Sequence, residues 1–112
     1  MATISNLYID QGSDYSSTIT VKTSTGQPLD LTEYTAKSQI RKSYGSQQAY
    51  DFVCEIAEPT SGKIKLIMSA ESTELIKSGR WLYDVEITNI NTNMRKRVVE
   101  GIVEITPQIT RV

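Results

Sequence analysis

The stretch Arg80-Trp81-Leu82-Tyr83-Asp84-Val85-Glu86-Ile87-Thr88 decides how the rest of the chain is read. Trp81, Tyr83, Val85 and Ile87 form a continuous apolar row at every second position, and Asp84, Glu86 and Thr88 lie opposite. Side chains alternate across a strand, so this pattern makes one dry face and one wet face.

Outward from that strand the same alternation recurs, broken by turn residues. Asn89 to Asn93 is rich in Asn, which tolerates left-handed backbone. Arg95 to Ile105 then returns as a long strand with Val99, Gly101, Val103 and Ile105 inward, and Pro107 stops it. Upstream, the turn Glu58-Pro59-Thr60-Ser61-Gly62 leads into Lys63 to Met68, where Ile64, Leu66 and Met68 are in phase. Ala49 to Ile56 sets Phe52, Cys54 and Ile56 inward, and Thr35 to Lys42 sets Ala36, Ser38 and Ile40 against Lys37, Gln39 and Arg41. Tyr15 to Lys22 alternates Ser17, Ile19 and Val21 with a Ser/Thr row, and residues 4–10 form a first extended segment with Leu7 and Ile9 on one side. Leu29 to Tyr34 reads as a single turn tucking Leu29, Leu31 and Tyr34 against the sheet. One short helix is predicted near 70–78: Ser69 caps it, Glu71 and Glu74 open it, Lys77 and Gly79 close it, and Leu75 and Ile76 face the core.

About seven strands with regularly spaced turn signals predict an all-β domain over residues 1–112. The expected form is an antiparallel β-sandwich of immunoglobulin-like topology or a partly open barrel. At 112 residues the chain is long enough to bury a core without disulfide or metal staples.

Composition narrows the chemistry. There is no histidine, so Ser-His-Asp and Cys-His arrangements are excluded. The single Cys54 forms no internal disulfide and reads as a small buried hydrophobe. The glycines at 26, 45, 62 and 79 are isolated, so no phosphate-cradling loop is present. Asp10, Asp14 and Asp30 supply oxygens of the kind Ca²⁺ takes, but Asp in tight turns bonds its own backbone. Asp84 with Glu86, or Glu100 with Glu104, lies on the solvated side of a strand rather than in a converging acid pair. Twelve basic and 13 acidic residues give a net charge of −1, which does not favour general polyanion binding. No cofactor, no metal and no specific nucleic acid is expected. MATISNLYIDQG lacks the basic and apolar regions of a secretory signal. The longest apolar stretch is far short of the ~20 residues a membrane span needs.

Contact residues are the remaining candidates. Tyr44 and Tyr50 bracket a polar loop, and Tyr is enriched at interfaces. Arg95, Lys96 and Arg97 form the single basic cluster, beside a hairpin turn. Trp81 and Tyr83 are expected in the core; exposed and coplanar, they would instead suit a carbohydrate-binding sandwich. The end segments Met1–Asn6 and Thr106–Val112 are of a kind that adds a strand to a neighbour's sheet edge.

Four blocks in this order, YIDQGSDYSSTITV (8–21), QPLDLTEYTAKSQIRKS (27–43), PTSGKIKLIMSAESTELIKSGRWLYDVEI (59–87) and RVVEGIVEITPQITR (97–111), resemble a family of small tailed-bacteriophage virion proteins. More loosely, they resemble the N-terminal domain of upper baseplate proteins of phages that infect Gram-positive hosts. The motifs are structural and bring no active-site residues with them. The resemblance implies a non-enzymatic virion component assembled in the host cytoplasm. Tail, baseplate or neck is the implied place, with capsid decoration as the alternative, and other virion proteins in multiple copies are the implied partners.

Overall fold

The computed structural model describes residues 3–109. In chain order the strands are β1 (Thr3–Ile4), β2 (Leu7–Asp10), β3 (Tyr15–Thr20), β4 (Tyr34–Arg41), β5 (Ala49–Glu58), β6 (Lys63–Met68), β7 (Gly79–Asn89) and β8 (Arg95–Thr106). A 3-10 turn (Pro59–Ser61) precedes β6, and a helix, α1 (Ala70–Glu74), follows it. The strands form one curled mixed sheet in the order β1-β8-β7-β4-β5-β6-β3, with β2 also on β8. Adjacent β4-β7-β8 match the C-F-G order of an immunoglobulin domain, and β3-β6-β5 match B-E-D.

The curl comes from β5, which serves two neighbours. Residues Ala49 to Phe52 pair with β4, and Val53 to Glu58 pair with β6. Inside it lie Ile9, Ile40, Ile64, Leu66, Val85, Ile87, Val99, Val103 and Ile105, all almost fully buried. These are the inward positions of the alternating rows, so period-two patterning does place the core. Trp81 and Tyr83 are buried as expected. Tyr83 packs edge-on to Phe52, and Phe52 meets Tyr15.

Several expectations are corrected. Eight strands and one short helix accord with the expected all-β domain of about seven strands, but the sheet is not purely antiparallel: β1 and β2 run parallel to β8. The first extended segment is broken at Ser5-Asn6, where the backbone dips over Gly101. There Ser5 N–H donates to Glu100 O (2.9 Å), and Asn6 Oδ1 accepts from Ile102 N–H (3.0 Å). Residues 3–6 are therefore used by the chain's own sheet. Residues 1–2 and 110–112, the remainder of the expected end segments, lie outside the described residues.

The helix ends at Glu74, not near 78. Ser69 does cap it, accepting from Ser72 N–H (3.3 Å). Beyond it, each of the next three carbonyls is taken by a side chain from elsewhere. Tyr50 OH donates to Leu75 O (3.2 Å), Gln11 Nε2 to Ile76 O (2.9 Å) and Trp81 Nε1 to Lys77 O (2.8 Å). Those bonds satisfy groups that a longer helix would have satisfied internally. Ile76 enters the core, but Leu75 is turned to solvent, against expectation. Gly79 opens β7 instead of ending a helix.

A bulge in β8 settles the fate of the basic cluster. Val85 pairs with Val99 and Glu86 with Arg97, so Val98 is an extra residue. Strict alternation back from Val99 would aim Arg97 at the core; the extra residue returns it to the solvent face. Val98 and Val99 are consequently both buried.

Two protons, one on the buried Tyr83 and one on Cys54, which is half-buried rather than buried as expected, tie stability to alkaline pH. Burial pushes the Cys54 thiol up to about 11, with the Asp51 charge adding to it. Burial pushes the Tyr83 phenol up to about 12. Both groups hold their protons more tightly folded than unfolded, so their contribution is complete below the unfolded values near 9 and 10. It is lost as pH rises through the folded values. Urea midpoints are expected to stay level to about pH 9 and to fall between about pH 9 and 12. Cys54→Ala should flatten the first part of that fall, and an unchanged profile would contradict the assignment.

Candidate functional site

The outer face of β5-β4-β7-β8 carries a shallow trough of about 520 Å³. Cross-strand register builds it row by row. Asp51, Gln39, Asp84 and Glu100 form one row, and Lys37, Glu86 and Arg97 form the next. Arg97 Nε bonds Asp84 Oδ2 (3.1 Å), and its Nη1 lies 3.9 Å from Glu100 Oε2. Gln39 Nε2 donates to Asp51 (2.7 Å), and Arg41 donates to Gln39 Oε1 (3.0 Å) and to Ser46 O (2.5 Å). The polar groups of this face are thus largely committed to one another. An exposed pair such as Arg97–Asp84 contributes little, so Arg97→Ala is expected to lower stability by less than about 1 kcal/mol by urea titration.

Tyr44 stands at the rim of the trough and is 78% exposed. Tyr50 is elsewhere. It is partly buried on the inner side, edge-on to Trp81 at 5.7 Å, with Gln48 Nε2 donating to its hydroxyl (2.9 Å). Lys42 Nζ lies 5.2 Å from the Trp81 ring centre. Around these residues a second recess is lined by Gln11, Lys42, Gln48, Tyr50, Leu75 and Trp81. Tyr50 is therefore chiefly a packing and capping residue, and Leu75, 72% exposed, is the apolar side chain turned to solvent at this end. No pattern marks Leu75, because its exposure follows from where α1 stops.

Arg95 and Lys96 lie at the opposite end of the sheet, since Arg95 pairs with Thr88 and Tyr34 with Asn89. The strand between them and Arg41 spans about 20 Å at about 3.3 Å per residue. Arg95 and Lys96 are exposed beside Ile90 and Met94 of the β7–β8 turn, both of them also exposed. The five expected contact residues therefore do not form one patch. Tyr44 marks one end, Arg95 and Lys96 mark the other, Arg97 is drawn into ion pairs in the trough, and Tyr50 is mostly inside.

Each of the three aspartates accepts a hydrogen bond, but only Asp30 does so within its own turn; Asp14 and Asp10 are held by residues distant in sequence. Asp30 accepts from Thr32 N–H (2.9 Å) and Thr32 Oγ1 (2.6 Å), which holds its carboxyl below the usual range. Asp14 accepts from Ala70 N–H (2.7 Å), and Asp10 from Thr106 Oγ1 (2.7 Å). Among the described residues no three metal-ligating groups converge, and no helix is long and apolar enough to cross a membrane. Trp81 and Tyr83, being buried, offer no ring faces for a sugar.

No known family model matches the chain, and no curated protein matches it.

Proposed function

We propose that this protein is a non-enzymatic structural component of a tailed-phage virion, a small tail, baseplate or neck protein that packs in multiple copies against other virion proteins. The observation that carries this reading is the pairing of exposed apolar side chains at both ends of one sheet. Tyr44 and Leu75 stand at one end, and Ile90 and Met94 at the other. Exposed apolar groups rimmed by polar ones suit protein contacts, and two such ends suit a module with a neighbour on each side. The sequence blocks that resemble small virion proteins support the same reading.

The test is quantitative mass spectrometry of purified particles, intact and split into head and tail fractions. A fixed copy number in the tail fraction is the expected result. Presence on heads alone would favour capsid decoration, and absence from particles would end the proposal. Leu75→Asp should leave folding stability within about 0.5 kcal/mol, because the side chain is exposed, while reducing incorporation into particles.

A further inference from the structure

From the free edge of β3 we infer that the chain forms a twofold dimer, in which β3 pairs antiparallel with β3 of a second copy, centred on Thr18. The inference goes beyond the virion reading and does not depend on it.

β3 ends the strand order and pairs only with β6, in unbroken register from Tyr15↔Met68 to Thr20↔Lys63. Just past it, Val21 N–H donates to Gly62 O (2.7 Å) at the foot of β6. Backbone groups alternate sides along a strand, so the odd residues of β3 face β6. Ser16, Thr18 and Thr20 turn their N–H and C=O groups to the open edge. Among the described residues no hydrogen bond reaches those groups. The following hairpin does not cover them: it folds to the β6 side, where Leu29 N–H bonds Val21 O (2.9 Å).

Natural edges are usually blunted by charge, proline or a bulge. Tyr15-Ser16-Ser17-Thr18-Ile19-Thr20 has none of these. Such an edge takes a strand, and its flanks fit its own copy. Antiparallel pairing about Thr18 sets Ser16 opposite Thr20 of the second copy and Thr18 opposite itself. Each pair exchanges N–H···O=C bonds and adds favourable Ser/Thr side-chain contacts. On the inner face Tyr15 falls opposite Val21 and Ser17 opposite Ile19, so the apolar rows continue across the axis. At the flanks Asp14 falls opposite Lys22 of the second copy, and both are exposed. An acid before the strand and a base after it, at equal distance from Thr18, give a contact that is charge-matched to itself, as a twofold interface must be.

Analytical ultracentrifugation of the full chain over a concentration series tests this. The expected result is a monomer–dimer equilibrium, with the amides of Ser16, Thr18 and Thr20 more protected from hydrogen exchange at high concentration. Thr18→Glu sets a carboxylate beside Lys65 of its own sheet, which the fold accepts, and against its symmetry mate across the axis. It should weaken the dimer about tenfold with an unchanged circular dichroism spectrum. Lys22→Glu, facing Asp14, should act in the same direction. A chain that stays monomeric up to about 1 mM, or a dimer whose affinity is unmoved by Thr18→Glu, would overturn the inference.

Discussion

A Gly101→Val variant is expected to lose its N-terminal strands from the sheet. Gly101 lies opposite Tyr83 on the inward row, where a side chain would ordinarily fill the core. The space is already taken: a Cβ there would fall on the Ser5 carbonyl. That carbonyl accepts from Tyr83 OH, and Ser5 and Asn6 are tied to Glu100 and Ile102 on either side. Valine would lift this crossing off β8, break these bonds and loosen Leu7 and Ile9, both buried. Overpacking alone costs about 1–3 kcal/mol, and each lost bond about 1 kcal/mol. A total of about 4 kcal/mol is a large part of the stability of a small domain. The variant should show a matching drop in urea midpoint and fast hydrogen exchange at Leu7 to Asp10. A midpoint within experimental error of wild type would show that Ser5 does not sit where the structure has it.

The second large effect is expected at Gly62, which ends the 3-10 turn with φ 68° and ψ 22°. That is left-handed backbone, costing a residue with a Cβ about 1–2 kcal/mol. Here the Cβ would also stand 2.5 Å from Val21 O and 2.9 Å from Leu29 O, at the root of the 22–28 hairpin. Backbone atoms cannot swing aside as a side chain end can. Gly62→Ala is therefore expected to lose about 3 kcal/mol by urea titration. Gly62→Asn separates the two causes, because Asn tolerates the left-handed region but keeps the Cβ. It should recover only part of the loss; full recovery would mean that the close approach carries no weight.

What the sequence makes legible here is what depends on a residue and its near neighbours. The row Trp81-Tyr83-Val85-Ile87 reads directly as one buried face, and Lys63–Met68 is bounded correctly because Gly62 and Ser69 punctuate it. Partner choice is not local. Nothing in residues 3–10 says that they run parallel to a strand nearly a hundred positions later. The β8 bulge is equally hidden, since Val98 and Val99 are both apolar and either suits the core. The helix stops where Tyr50 of β5, Gln11 of the turn after β2 and the nearby Trp81 take the carbonyls that follow it, which a capping pattern cannot show. The same holds for the contact residues. Tyr44 follows from its loop, but Tyr50, with the same composition around it, is turned inward by Trp81.

Because β1 and β2 lie against β8, they find their neighbour only among residues made nearly a hundred positions later. Until Val99 to Thr106 emerges, Leu7 and Ile9 have no hydrogen-bonding partner in the sheet. Closing a contact across that span costs loop entropy before it returns anything, a topology that folds slowly. Until that pairing forms, the growing chain carries Leu7 and Ile9 as an apolar segment unmatched in the sheet.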